Sequence, residues 1–319
     1  MGFRESAALK AAIELGVFTA IAEGASTAAE IATKCDAAER GMRILCDILV
    51  TMQMLSKEGS AYANSPTARV FLDKNLRTYM GGIADFICGP EIAHGALFTT
   101  AACVRKGGTV MPGEGTVDPD NPLWVRFAET MGPMMMPAAM AIPHHVPATG
   151  PLKVLDIAAG HGFFGIQIAL RNPDAQIVAL DWRAVLEVAQ RHAAQAGVAD
   201  RYSTIVGSAF DVEFGEGYDV VLVTNFLHHF SLETNIGLLR KVHAALKPGG
   251  SAIMLEFVPD ESRVTPPMPA RFAMTMLTGT HDGDAYTFAE LERAASAAGF
   301  AHSVQHMLET TQSVIISTK

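Results

Sequence analysis

Charge is scarce in this chain. Lys, Arg, Asp and Glu make up 18% of its 319 residues against 49% hydrophobic ones, and the formal balance is −9. So apolar a composition supplies the core of one large or two ordinary domains and leaves little room for disorder. The acidic balance excludes a general nucleic-acid or anionic-membrane surface. Cysteine is rare as well. Cys35, Cys46, Cys88 and Cys103 form no CxxC pair and match no zinc spacing. They read as free thiols of a reducing, cytoplasmic compartment. No apolar run is long enough to span a bilayer, and the Met-rich "MGPMMMPAAMAIP" is broken by prolines. The opening residues carry no signal-peptide pattern. "MGFRES" fits the myristoylation pattern, a match short enough for chance to produce.

Apolar residues at helical spacing fill 8–22, "ALKAAIELGVFTAIA", which predicts one helix. Thr27 with Glu30 three residues on is a capping box opening a second helix. "AERGMRILCDILVTMQML" is a third, and "SKEGSAYANSPTARVFL" reads as a hairpin wing and a further helix start. The expectation for 1–85 is a mostly α winged-helix domain. Residues 1–80 hold nine Lys/Arg and nine Asp/Glu, so the basic footprint of a DNA-binding module is missing. What remains for so apolar a module is association with a second copy of the chain, a homodimer.

Residues 86–150 mix helices with Gly and Pro breaks. "KGGTVMPGEGTVDPDNP" is a loop by composition, and Asn121-Pro122 opens an apolar-striped helix, "LWVRFAETMGPMMM". From 151 to 319 the rhythm changes. "KVLDIA", "AQIVALD", "YSTIVG", "YDVVLVTN" and "SAIMLEFV" are strands separated by helices, and "HSVQHML" and "QSVIISTK" close the chain as a hairpin. The prediction is an α/β domain, a Rossmann-like seven-stranded sheet whose C-terminal hairpin brings in an antiparallel strand.

The first strand runs into "LDIAAGHGFFG", with Gly160, Gly162 and Gly165 spaced G-x-G-x-x-G and Asp181 21 residues past Gly160. That pattern admits a dinucleotide site and an NAD-dependent oxidoreductase. Asp156 inside the strand points elsewhere. A carboxylate there suits a ligand carrying an ammonium group, or else serves as a turn cap. The chain also lacks a second half to hold a nicotinamide.

The run Asp156-Ile-Ala158-Ala-Gly160-His-Gly162 resembles the D-x-G-x-G-x-G loop of S-adenosylmethionine-dependent class I methyltransferases, with Ala158 in place of the first glycine. With "ALKAAIELGVF…AAEIA", "LKPGG" and "AGF", nearly the whole chain is similar to the dimeric small-molecule O-methyltransferases, the caffeate and acetylserotonin type. The resemblance implies S-adenosylmethionine as cofactor and S-adenosylhomocysteine as product. It implies that the glycine loop approaches the methionine part, that Asp181 holds the ribose hydroxyls and that Trp182 covers the adenine. Ser208, Ala209 and Phe210, in "GSAFD", would flank the adenine, and Asn225 at a strand end would complete the cofactor site. The family usually has Asp where Ser208 stands.

"FLHHFSLE" resembles the family's L-H-D-W-S-D-E, which assigns the general base to His228 and puts His229 where the family has Asp. Glu256, in "MLEFVP", matches the carboxylate that orients the base. The family's second acid falls at Ala285, one residue from Asp284. Phe127 and Met131 resemble an acceptor-side F-x-x-x-M helix. Met135 and Met274 belong to Met-rich segments that either fill core or form a soft apolar slot for a flat ring. Among His144-His145, His228-His229 and His281-Asp282 no pair stands at i,i+4 and no ligand spacing recurs, so no metal site is expected. The function implied is methyl transfer to a hydroxyl of a small, largely apolar, aromatic molecule, with N, C or S acceptors open on the same fold.

Overall fold

A computed structural model describes residues 2–319. The chain divides into two compact units, Met1–Gly89 and Pro90–Lys319. In the first, α1 (Gly2–Leu15) and α2 (Val17–Ala22) replace the single helix expected over 8–22. The break is Gly16, whose φ of 74° leaves the right-handed helical region. The Thr27–Glu30 box opens α3 (Ala28–Lys34): the Thr27 hydroxyl accepts from Glu30 N–H at 3.3 Å, and the Glu30 carboxylate accepts from Thr27 N–H at 3.0 Å. In α4 (Glu39–Thr51) Met42, Cys46 and Leu49 turn inward, the i, i+4, i+7 face of one helix. β1 (Leu55–Glu58) and β2 (Ala61–Asn64) form an antiparallel wing, followed by α5 (Pro66–Phe71) and α6 (Ile83–Ile87). Phe18, Ile31, Met42, Leu49 and Tyr62 make the core of this unit.

The second unit opens with α7 (Pro90–His94), a π turn over Gly95–Thr99 and α8 (Thr100–Lys106). The helix expected from Asn121-Pro122 onward is two, α9 (Pro122–Thr130) and α10 (Gly132–Ala141), with Met131 ending one and starting the other. Pro133 explains the break: it has no N–H to give, and its ring would clash with the carbonyl four residues back. Then come β3 (Leu152–Ile157), α11 (Phe163–Arg171), β4 (Ala175–Asp181), α12 (Arg183–Gln195), β5 (Tyr202–Val206), β6 (Tyr218–Thr224), α13 (Leu232–Ala245), β7 (Leu246–Glu256), α14 (Pro267–Gly279), α15 (Phe288–Ala298), β8 (His302–Met307) and β9 (Ser313–Thr318).

The sheet order is β5-β4-β3-β6-β7-β9-β8. The neighbours from β5 to β7 are parallel, and β9 is the reversed strand, antiparallel to both β7 and β8. Helices on both faces bury the central strands almost completely, which is why they read as continuous apolar runs. Chain order reverses between β3 and β6. A crevice opens beyond the carboxyl ends of strands at such a switch point.

Candidate active site

β3 and β6 lie side by side, Ile157 opposite Val223. Just beyond their ends Ala158 and Asn225 both turn left-handed, with φ of 52° and 54°. Asn tolerates that conformation; Ala pays about 1–2 kcal/mol for it. Strain of this kind, held at a strand end, marks a loop whose path matters. Asn225 is fixed by its N–H to the Leu255 carbonyl at 2.8 Å and by the Gln312 amide donating to its side-chain oxygen. In the glycine loop, Gly160 N–H donates to Asp181 Oδ2 at 2.9 Å, while Trp182 N–H donates to Asp181 Oδ1 at 2.7 Å. The Asp181 carboxylate thus ties the loop to the end of β4. Burial raises its pKa to about 6, against the pull of those two N–H groups.

Asp156 is fully buried, and its Oδ2 accepts from Gly165 N–H at 3.1 Å. Gly165 is the third residue of α11, and the capping residue Gly162 has no side chain to do this work. Asp156 therefore supplies the missing cap from the strand beneath. Its Oδ1 has no partner among the described residues. Burial lifts the group to about 7, opposed by Gly165 N–H and reinforced by the charge of Asp181. The Tyr202 hydroxyl is buried and, among the described residues, likewise without a hydrogen-bond partner, and it is pushed up by burial and by both carboxylates.

A raised carboxyl means that the folded chain holds a proton which the unfolded chain has released. Stability then falls as pH rises from about 4 to about 7, by at most about 4 kcal/mol for this group. Thermal melts of ligand-free protein should show wild type losing more between about pH 5 and 8 than Asp156→Asn. Parallel curves would mean that Asp156 ionises normally.

Leu227–His229 is a short 3-10 turn beyond β6. Glu256, the last residue of β7, organises it. Its Oε1 accepts Phe226 N–H at 3.1 Å and Leu227 N–H at 2.9 Å, and its Oε2 meets His228 Nδ1 at 2.5 Å. Both side chains are buried. A carboxylate only accepts, so Nδ1 carries the proton and Nε2 is the nitrogen left for an acceptor. Phe272 stands edge-on to the His228 ring at 4.7 Å, and the His229 ring lies 4.3 Å away. Burial, and then His228, push the pKa of His229 well down, so it is neutral.

Trp124 meets His229 edge-on at 5.2 Å and Phe127 at 5.8 Å, and Phe127 stacks on His161 at 6.0 Å. Trp124 is held in turn by its indole N–H on the Thr116 carbonyl, 2.9 Å. A row of rings thus joins the histidine turn to the glycine loop. His161, between two loop glycines, is buried among them and driven to about 3 by that burial.

Trp124, His161, Phe272 and Gly283 were missed in the sequence reading. Trp124 was within reach, one helical turn before Phe127 on the same face. Gly283 lies against the His228 carbonyl with no room for a Cβ, and no pattern announces that.

Other expected residues are distributed unevenly. Ser208 accepts from Phe210 N–H at 3.1 Å in a tight turn, and Ala209 is core. Phe210 joins Phe226 and Phe230 in an aromatic trio. Trp182 packs against Ala128, Val185 and Val188. Met131 and Met135 are buried, and the Met135 sulfur is 3.7 Å from the Asn225 amide. Met274 is 47% exposed and lines an outer cleft of about 690 Å³ with Ser231, Leu277 and Tyr286; α14 turns Phe272 toward His228 instead. Asp284 pairs with Arg263 at 3.0 Å, and Ala285 fills the buried position beside it.

Residues 1–74 match the O-methyltransferase dimerisation domain, and residues 154–250 match a methyltransferase domain. A solved Nostoc punctiforme structure, provisionally described as an O-methyltransferase, is 47% identical, covers 100% of this chain and 96% of its own, and superposes with a TM-score of 0.96. Human N-acetylserotonin methyltransferase in complex with S-adenosylmethionine has the same fold at 21% identity, with a TM-score of 0.87 and coverage of 100% and 94%. The Streptomyces sahachiroi 3-hydroxy-5-methyl-1-naphthoate 3-O-methyltransferase is 28% identical over 91% of this chain and 84% of its own length. With these likenesses the nicotinamide reading of the glycine loop falls away. The chain belongs to the S-adenosylmethionine-dependent O-methyltransferases that carry an amino-terminal dimerisation domain.

Proposed function

We propose that the chain methylates a hydroxyl of a small aromatic molecule, with His228 as general base and Glu256 as the group that orients it. The observation carrying this reading is the buried His228–Glu256 contact at the switch-point crevice. The residues present fit the cofactor. Gly160 and Gly162 let backbone come close at φ of 56° and 78°, and Asp181 ends β4 where ribose hydroxyls need an acceptor. Asp156, Ala158, Asn225, Trp182 and the Ser208–Phe210 turn complete the set we assign to it. When bound, S-adenosylmethionine supplies an activated methyl on sulfur.

The chain's own task is to position the acceptor oxygen and take its proton. Phe127, Met131, Met135 and Trp124 offer an apolar wall to a flat ring. His228 Nε2 would take the acceptor's proton as its oxygen is alkylated, while bound S-adenosylmethionine would supply the methyl and be left as S-adenosylhomocysteine. A phenol near 10 and an imidazole near 6.5 differ by roughly 5 kcal/mol, so proton removal must accompany bond formation rather than precede it. A relative named for 3-O-methylation of a 3-hydroxynaphthoate supports the acceptor class; N, C and S acceptors remain open on this fold.

The division of labour follows. Residues 1–85 pair two copies of the chain, 86–150 shape the acceptor pocket and 151–319 hold cofactor and base. No helix among the described residues is long and apolar enough to cross a membrane; with four free cysteines, we place the enzyme in the cytoplasm.

His228→Ala should lower kcat with a phenol panel by about 10²- to 10⁴-fold and leave S-adenosylhomocysteine affinity within about threefold. Wild-type turnover in that variant would remove His228 from the chemistry.

A further inference from the structure

We infer that the acceptor hydroxyl is an acidified one, a phenol or enol conjugated to a carbonyl or similar electron-withdrawing group, rather than a plain phenol or an alcohol. This rests on the reading of His228 as base and follows from how little negative charge surrounds its ring.

A proton taken into an apolar enclosure needs a counter-charge. Among the described residues Glu256 is the one carboxylate bonded to His228, and its other oxygen is already shared by the Phe226 and Leu227 N–H groups. From its own turn His228 faces His229, buried and without negative charge to lend. From α14 it faces Phe272, and from the end of β7 Phe257, at 4.7 and 6.4 Å. The 280–286 segment reaches the turn through Gly283, against the His228 carbonyl. Its acids are turned elsewhere: Asp282 lines the outer cleft, and Asp284 is 42% exposed and paired with Arg263. Ala285 takes the buried place beside Asp284, at 2% exposure. One carboxylate balances one imidazolium, and nothing further offsets the proton of a reluctant acceptor.

The consequence is a demand on the acceptor. At neutral pH a plain phenol is ionised to about one part in a thousand. Conjugation that brings its titration to about 7 removes most of that handicap before the acceptor meets His228. The ring row of Trp124 and Phe127 beside the turn accommodates such a flat conjugated system.

The test uses wild type and His228→Gln with saturating S-adenosylmethionine and size-matched 2-naphthols bearing alkyl or acyl groups, spanning about three units of acidity. Near pH 7.5, wild-type kcat/KM should rise about 30- to 300-fold from the least to the most acidic member, and the gap should shrink below about tenfold near pH 9.5. His228→Gln should cost about 10²-fold on the alkyl member and less than about tenfold on the acyl member. Turnover of the acyl member certifies that the variant is folded; if it is inactive on both, the wild-type series alone decides. A flat or reversed order in wild type, or acyl members left unmethylated, overturns the inference. Undiminished turnover of the alkyl member by His228→Gln overturns the base reading instead, whatever the order across the series.

Discussion

Glu256→Gln lowers kcat/KM by about 10³-fold or more while the fold survives. The amide oxygen can still accept from Phe226 and Leu227 N–H, so the turn that carries His228 keeps its anchor. What changes is the group facing Nδ1 at 2.5 Å. An amide NH₂ there donates, so the ring must present a lone pair at Nδ1 and carry its proton on Nε2. That is the wrong tautomer for a base, and the imidazolium formed in the reaction loses its counter-charge. Swapping carboxylate for amide behind a catalytic imidazole costs up to about 10⁴-fold in rate where geometry is otherwise kept. Glu256→Ala removes the anchor as well, leaving two N–H groups and the imidazole unpaired in a buried place, and should cost about 3–5 kcal/mol of stability besides. Steady-state kinetics with thermal melts separates the two variants. Wild-type kcat in Glu256→Gln would mean that the contact is structural only.

Gly162→Ala costs about 2–5 kcal/mol and weakens cofactor binding at least tenfold. Its φ of 78° alone penalises a side chain by about 1–2 kcal/mol. The new methyl would also stand 2.6 Å from the Tyr202 hydroxyl and 3.0 Å from the Ala189 Cβ. Tyr202 is packed in the sheet, so relief must come from the loop or from α11, at about 1–3 kcal/mol. Either movement shifts Gly160, whose N–H is held by Asp181. Gly237→Ala is the control: it lies exposed in α13 with nothing near its Cβ position, and should be neutral or stabilising by up to about 1 kcal/mol. A melting temperature for Gly162→Ala within about 2 °C of wild type, with unchanged S-adenosylhomocysteine calorimetry, would refute the packing argument.

The parallel strands, the C-terminal hairpin that brings in a reversed strand and the Thr27 capping box were legible because each is a local pattern. Period, capping residues and Gly/Pro breaks act within a few residues of one another. The helix breaks at Gly16 and Met131 were harder to see. Apolar spacing runs straight through both, and backbone conformation overrode it. Asp156 stood out by its place in an apolar strand, but its second job as the cap of α11 depends on a glycine nine residues later lying above it. Methionine content pointed to Met274, whereas α14 presents Phe272 to His228, a choice set by rotation about the helix axis.

The linear chain by itself determined the kind of fold and the end of the sheet where chemistry belongs, since hydrophobic period and a glycine-rich turn are properties of neighbouring residues. Tertiary structure alone decided the electrostatics. Which carboxylate reaches His228, which one Arg263 draws off, and which rings enclose the turn are set by residues some 20 to 105 positions apart in sequence. Coulomb and packing forces act over ångströms in space, and no spacing along the chain encodes those distances.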